Sequence, residues 1–204
     1  MRRLNLLSAV AGLLFCFAAA QPAHAGMAVN IYNDGSGNVI ATADGTIDLT
    51  GLTYLEGSGQ VDLVAGNDAG LVTGAFAGFS IYIGLSGPSV WGPGETVDAT
   101  SGTGDIFGIV GAAGGLALPE NYVSGVTLNS EAVFSDTIDS LGLNPGTYTY
   151  NWGTGADADS LVVNISETAP SSAPEPSTGV LGIAGICAVT AFFRMRTKSA
   201  SRTR

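Results

Sequence analysis

The 204-residue chain predicts an all-β, antiparallel sandwich-like domain flanked by an N-terminal signal peptide and a C-terminal transmembrane helix. Three observations predict the β class. Apolar and polar residues alternate with period two in Val29-Asn30-Ile31-Tyr32, Thr46-Ile47-Asp48-Leu49-Thr50, Phe79-Ser80-Ile81-Tyr82-Ile83 and Thr147-Tyr148-Thr149-Tyr150-Asn151-Trp152, as in strands with one face against a core. Each segment is bounded by Gly, Pro, Asn or Asp, the residues that turns require. No stretch of the body joins a helical apolar period to a cap, and glycine interrupts nearly every candidate window. About eight to ten strands are expected.

The first element is a leader. Met1-Arg2-Arg3 is a short positive region, Leu4 to Ala20 is apolar, and Ala23-His24-Ala25 supplies an A-x-A cleavage site before Gly26. Residues 1–25 are therefore expected to leave as a signal peptide. Phe15 before Cys16 does not fit a lipoprotein signal, and the bare pair Arg2-Arg3 does not make a twin-arginine signal, so the general secretory route is expected.

Residues 26–166 form the expected exported domain. Asn33-Asp34-Gly35-Ser36-Gly37-Asn38 should link two early strands, and Asn144-Pro145-Gly146 should launch a late one. In that late strand Tyr148, Tyr150 and Trp152 share one face, expected to be core. The final strand, Ser160 to Ser166 with Leu161, Val163 and Ile165 alternating, should lie beside it. Gly111-Ala112-Ala113-Gly114-Gly115 lacks the spacing of a dinucleotide loop and precedes Pro119, so it is expected to be a flexible connection or a tightly packed strand edge. No long internal repeat is evident.

Charge excludes whole classes of chemistry. All seven Lys and Arg residues lie in the two flanks, and the single His24 lies in the leader, whereas all 17 Asp and Glu residues fall between Gly26 and Phe193. The two cysteines, Cys16 and Cys187, sit in the terminal apolar segments. A Ser or Thr nucleophile in the body would lack its usual His or Lys base. A phosphate loop would lack its Lys, and a zinc site its His or Cys ligands. Nucleic acid is disfavoured because its phosphates would meet a negative surface. No cofactor is expected, and no disulfide is used although the compartment allows one.

Residues 167–177, rich in Thr, Ala, Pro and Ser, make an extended linker ending in Pro174-Glu175-Pro176-Ser177. Residues 178–193 are an uncharged apolar run of 16 residues, and residues 194–204 are a basic tail beginning Arg194-Met195-Arg196. As a helix the run would span roughly 24 Å of a hydrocarbon core of about 30 Å, a marginal anchor. The basic flanks are expected to face the cytoplasm, with the body outside the inner membrane.

This order of Pro-Glu-Pro break, apolar segment and basic end resembles the PEP-CTERM sorting signal. The stretch from Ser140 to Leu161 and the Ser86-Gly87-Pro88 segment resemble small proteins of that group. The resemblance implies recognition at Pro174, Glu175, Pro176, Arg194 and Arg196 by exosortase, a membrane transpeptidase, with cleavage near the Pro-Glu-Pro element. It implies a mature form at the cell envelope or in the extracellular matrix and no defined activity.

Three functions remain in view. The first is a non-enzymatic envelope or matrix protein, for display or association with exopolysaccharide. The second is a carbohydrate- or calcium-binding module, using Trp91 in the loop from Gly87 to Gly94, or oxygen ligands from Asp34, Asp157 and Asp159. The third and least favoured is a carboxylate glycosidase, with Glu56, Glu95, Glu120 and Glu131 as candidates.

Overall fold

A strand with one face on the core and the other in water must alternate in burial, and the first strand does: Met27, Val29 and Ile31 are buried while their neighbours are half-exposed. The computed structural model describes residues 26–56 and 63–170. Among these are thirteen strands. In chain order they are β1 (Met27–Asn33), β2 (Val39–Thr46), β3 (Thr53–Leu55), β4 (Leu63–Ala65), β5 (Gly70–Thr73), β6 (Phe79–Ile83) and β7 (Thr96–Asp98). There follow β8 (Ser101–Gly104), β9 (Phe107–Val110), β10 (Gly115–Pro119), β11 (Thr127–Phe134), β12 (Gly146–Trp152) and β13 (Asp159–Ser166).

They form two sheets. The first, in the order β12-β13-β1-β2-β11-β8, holds the long strands. Its inward residues include Val39, Ala41 and Ala43 on β2, Phe134 on β11, Tyr150 and Trp152 on β12, and Leu161, Val163 and Ile165 on β13. Asp34 shapes the β1–β2 turn by accepting from the Ser36 and Asn38 backbone N–H groups at 2.6 and 3.1 Å. β12 pairs with β13 as expected, Tyr150 opposite Leu161. One pairing departs from a purely antiparallel plan, since β1 runs parallel to β13 with Met27 beside Leu161 and Tyr32 beside Ser166.

The second sheet, in the order β3-β6-β10-β9-β5-β4-β7, is built differently. Its strands have three to five residues, and β5 is buried at every position. Burial on both faces removes the alternation, because its outer face carries a second apolar cluster of Val72, Phe79 and Ile106. The inner faces of the two sheets meet in the main core. There Thr73 of β5 and Ser130 of β11 share a buried hydrogen bond of 2.6 Å, one hydroxyl from each sheet.

Two hairpins of this sheet are copies of one design. The β4–β5 link is a single 3-10 turn, Gly66–Asp68, closed by Ala69 in the left-handed region at φ 47°. The β9–β10 link is a single 3-10 turn, Gly111–Ala113, closed by Gly114 at φ 61°. Both begin with Gly, and both place Gly then Leu at the start of the next strand (Gly70-Leu71 and Gly115-Leu116). The two turns touch, with the Gly111 N–H donating to the Ala69 carbonyl at 3.0 Å. A Cβ on Gly111 would meet the Pro88 carbonyl oxygen at 2.5 Å and the Tyr150 hydroxyl at 2.7 Å, so the tightly packed form of the glycine run is the one realised.

The expected strand over Thr46-Ile47-Asp48-Leu49-Thr50 is a correction. β2 ends at Thr46, and the next three backbone N–H groups donate to side chains instead of a ladder: Ile47 to the Tyr122 hydroxyl, Asp48 to Asp159 Oδ2 and Leu49 to Ser124 Oγ. Once those donors are satisfied sideways, the alternation continues without a strand. The strand number also exceeds the expected eight to ten, because the second sheet is made of short pieces that carry too little pattern to recognise. The leader with Ala23 and Ala25, the sorting residues Pro174, Glu175, Pro176, Arg194 and Arg196, and the apolar run 178–193 lie outside the described residues. Gly26 directly precedes β1.

Candidate functional site

Trp91 was a candidate sugar platform in the sequence, and the structure makes it core. The loop after β6 returns toward the first sheet by a two-way backbone bridge between Ser86 and Asn151 of β12, each N–H donating to the other's carbonyl at 2.9 Å. It then crosses the paired hairpin turns, where the Trp91 N–H donates to the Gly66 carbonyl at 2.7 Å. The indole is fully buried, and its Nε1–H donates to the Tyr150 hydroxyl at 2.8 Å. The Tyr148 ring packs 6.2 Å away at 47°, its hydroxyl donating to the Asn144 carbonyl at 2.8 Å. Burial pushes the Tyr150 phenol up to about 12, with the Trp91 bond pulling the other way. The aromatic stripe of β12 therefore ties the two sheets together and leaves no indole face for a ligand.

The aspartates proposed for calcium are committed to turns. Asp34 accepts from Ser36, from the Asn38 backbone and, through Oδ2, from Asn38 Nδ2 at 2.9 Å. Its carboxyl is held below the usual range, first by the Asn38 side chain and then by the backbone donors. Asp159 accepts from the Asp48 and Ser160 backbone N–H groups, while Asp157 sits exposed in the 3-10 turn Gly155–Asp157. Among the described residues no three His, Cys, Asp or Glu side chains gather as metal ligands.

Of the four glutamates, two meet. Glu95 is exposed in the loop before β7, and Glu131 points outward from the middle of β11. Glu56 and Glu120 come together at the open edge of the second sheet. Pairing of Leu55 with Ile81 places the next residue, Glu56, opposite Ser80. Pairing of Pro119 with Phe79 places Glu120 beside Gly78, whose carbonyl accepts from the Glu120 N–H at 3.4 Å. Glycine at 78 is what lets the carboxylate lie there, since a Cβ would meet Glu120 Oε1 at 2.5 Å.

The result is a polar pocket of about 210 Å³ lined by Tyr54, Glu56, Phe79, Ser80, Glu120 and Asn121. Tyr54 is 59% exposed, and Tyr82 meets it edge-on at 5.7 Å and 68°. Asn121 holds a left-handed backbone at φ 61°, a conformation Asn tolerates better than most residues. Tyr54, Ser80 and Asn121 had no signal of their own in the sequence. They are gathered by strand register across 68 residues of chain, which a single sequence does not display.

A second concavity lies on the outer face of the same sheet. It is an apolar groove of about 250 Å³ whose walls include Leu55, Ile81, Val110 and Ala117. With no polar group converging on it, the groove offers burial without orientation.

No family model matches this chain, and neither a curated protein nor a solved structure matches it.

Proposed function

We propose that this chain is an exported cell-envelope or extracellular-matrix protein, delivered by a signal peptide and a PEP-CTERM-type tail, whose β domain acts without catalysis by display and association with exopolysaccharide. The observation that carries this reading is the partition of charge. Every Lys and Arg lies in residues 1–25 or 194–204, and the segment between them is purely acidic. Such a partition suits two cytoplasm-facing flanks around an exported body. Residues 26–177 hold no His, Lys, Arg or Cys, which removes the usual bases and nucleophiles. Glu56 and Glu120 are both exposed, without the apolar enclosure that tunes a glycosidase acid.

The test is the intact mass and C-terminal peptide of the protein recovered from its native host, with inner-membrane and extracellular fractions kept separate. A product starting at Gly26 and ending between Pro174 and Ser177, found outside the inner membrane, is the expected outcome. An uncut chain ending at Arg204 and confined to the inner membrane would overturn the sorting reading.

A further inference from the structure

We propose that the edge pocket formed by Tyr54, Glu56, Ser80, Glu120 and Asn121 binds one ring of a neutral, hydroxyl-rich glycan; the inference rests on the exopolysaccharide association proposed above and assigns it a place. Three properties of the pocket carry it. The first is a set of unspent hydrogen-bonding groups. Among the described residues no side chain of these five makes a hydrogen bond, although they converge on one pocket. Ser80 matters most, because it is 7% exposed, so its hydroxyl has left bulk water without gaining a protein partner. A ligand hydroxyl at the pocket floor would supply that partner.

The second property is the mixture of donors and acceptors. Glu56 and Glu120 only accept, the Asn121 amide does both, and the Tyr54 and Ser80 hydroxyls do either. Sugar hydroxyls, each a donor and an acceptor, match such a set. An anionic sugar would face two carboxylates on a domain with no positive charge. Calcium sites are built mainly on carboxylates, and among the described residues no three His, Cys, Asp or Glu side chains gather here, so calcium is the competitor that the titration must separate.

The third is shape. Tyr82 supports the Tyr54 ring edge-on and leaves much of the ring exposed, an arrangement that fits stacking against the apolar face of a pyranose. The volume of about 210 Å³ lies below the roughly 300–1,000 Å³ of sites that enclose a whole small molecule. A single ring fills it, and the rest of a glycan chain continues past β3, the edge strand of its sheet.

Binding is measured by titrating the full-length chain, held in an amine-oxide detergent without sugar headgroups, with cellohexaose, mannohexaose and xylohexaose. Polygalacturonate and calcium chloride are titrated in parallel. Saturable binding of at least one neutral hexaose is expected. Tyr54→Ala should weaken it about tenfold, and Glu120→Gln about threefold. Gly78→Ala, which removes no polar group but displaces the Glu120 carboxylate, should weaken it to a similar degree. Glu131→Gln on the far sheet should leave it unchanged. The proposal is overturned if none of the neutral hexaoses binds, if Tyr54→Ala and Gly78→Ala both bind as wild type does, or if calcium alone saturates a site lost in Glu120→Gln. Cosedimentation with the host's own matrix polysaccharide separates the two readings. Recovery of wild type and Tyr54→Ala alike would refute the pocket and keep the matrix role, whereas recovery of neither would refute the matrix role itself.

Discussion

The two sheets of this domain solve the same burial problem by different means. The first relies on side chains: β1, β2, β11, β12 and β13 are seven or eight residues long, and β1, β2, β11 and β13 alternate in and out almost without exception. The second relies on backbone. Its strands are short, both of its faces are apolar, and its register is set by two like 3-10 hairpins pressed together beneath the Trp91 loop. Glycines make that closeness possible. In the loops packed against its hairpins, a Cβ on Gly94 before β7 would collide with the Leu141 carbonyl oxygen before β12, and one on Gly66 in the β4–β5 turn would sit 3.1 Å from the Gly142 carbonyl oxygen. Exposed positions of the first sheet should tolerate many substitutions, whereas the glycine-lined backbone contacts around the second sheet's hairpins should tolerate few.

The comparison breaks most visibly where the two sheets are joined. Trp91→Ala should cost about 3–5 kcal/mol in denaturant unfolding, since it empties a fully buried site and strips the Tyr150 hydroxyl of its donor. A loss comparable to that of a surface substitution would mean that the loop does not join the sheets. Next comes the backbone contact itself. Gly94→Ala should destabilise by about 3 kcal/mol through overpacking, and Ser101→Thr, which adds a methyl at an exposed position of β8 opposite Val133 of β11, should do almost nothing. Equal effects at the two places would remove the distinction between the sheets.

A smaller effect tests the hydroxyl bridge. Thr73→Val should cost about 1–3 kcal/mol by stranding the buried Ser130 hydroxyl, and adding Ser130→Ala should recover most of that loss. The informative quantity is the coupling in the double-mutant cycle; simple additivity would show that the two hydroxyls stabilise independently. The mildest perturbation is alkali. Tyr150 is pushed up to about 12 and Tyr122 is also raised, each chiefly by burial, from an unfolded value near 10. Between those values the unfolded chain sheds phenolic protons that the folded chain keeps. Stability is therefore unaffected by these groups below pH 10 and falls as pH rises from about 10 to 12. Thermal melts across pH 8–12 should show that slope, and Tyr150→Phe should flatten it; a slope untouched by that substitution would place the cause elsewhere.

What could be read in advance follows from the same contrast. β1, β6, β12 and β13, the Asn33–Asn38 turn and the Asn144-Pro145-Gly146 launch were legible because strand alternation and turn chemistry are local. Ile47, Asp48 and Leu49 misled because Tyr122, Asp159 and Ser124 reach their N–H groups from 75 and 111 residues away. Trp91 misled for a related reason: a tryptophan in a Gly-Pro loop has the composition of an exposed tip, and only the hairpins beneath it explain its burial. Glu56 and Glu120 were recognisable as candidates one by one. Their meeting depends on the register of β3 on β6 and of β6 on β10, which involves no local pattern at all.

The parallel pairing of β1 with β13 has a mechanical consequence. β13 is an interior strand, laddered to β12 on one side and to β1 on the other, and the chain leaves the sheet at Ser166 beside Tyr32. Tension between the start of β1 and the chain beyond Ser166 acts at opposite ends of the parallel β1–β13 ladder, so that ladder is loaded in shear and its hydrogen bonds must yield together. A force across the strands would instead peel them one at a time. A domain stretched between its N-terminal start and its C-terminal end in a matrix would thus meet tension in the direction in which its sheet is hardest to open.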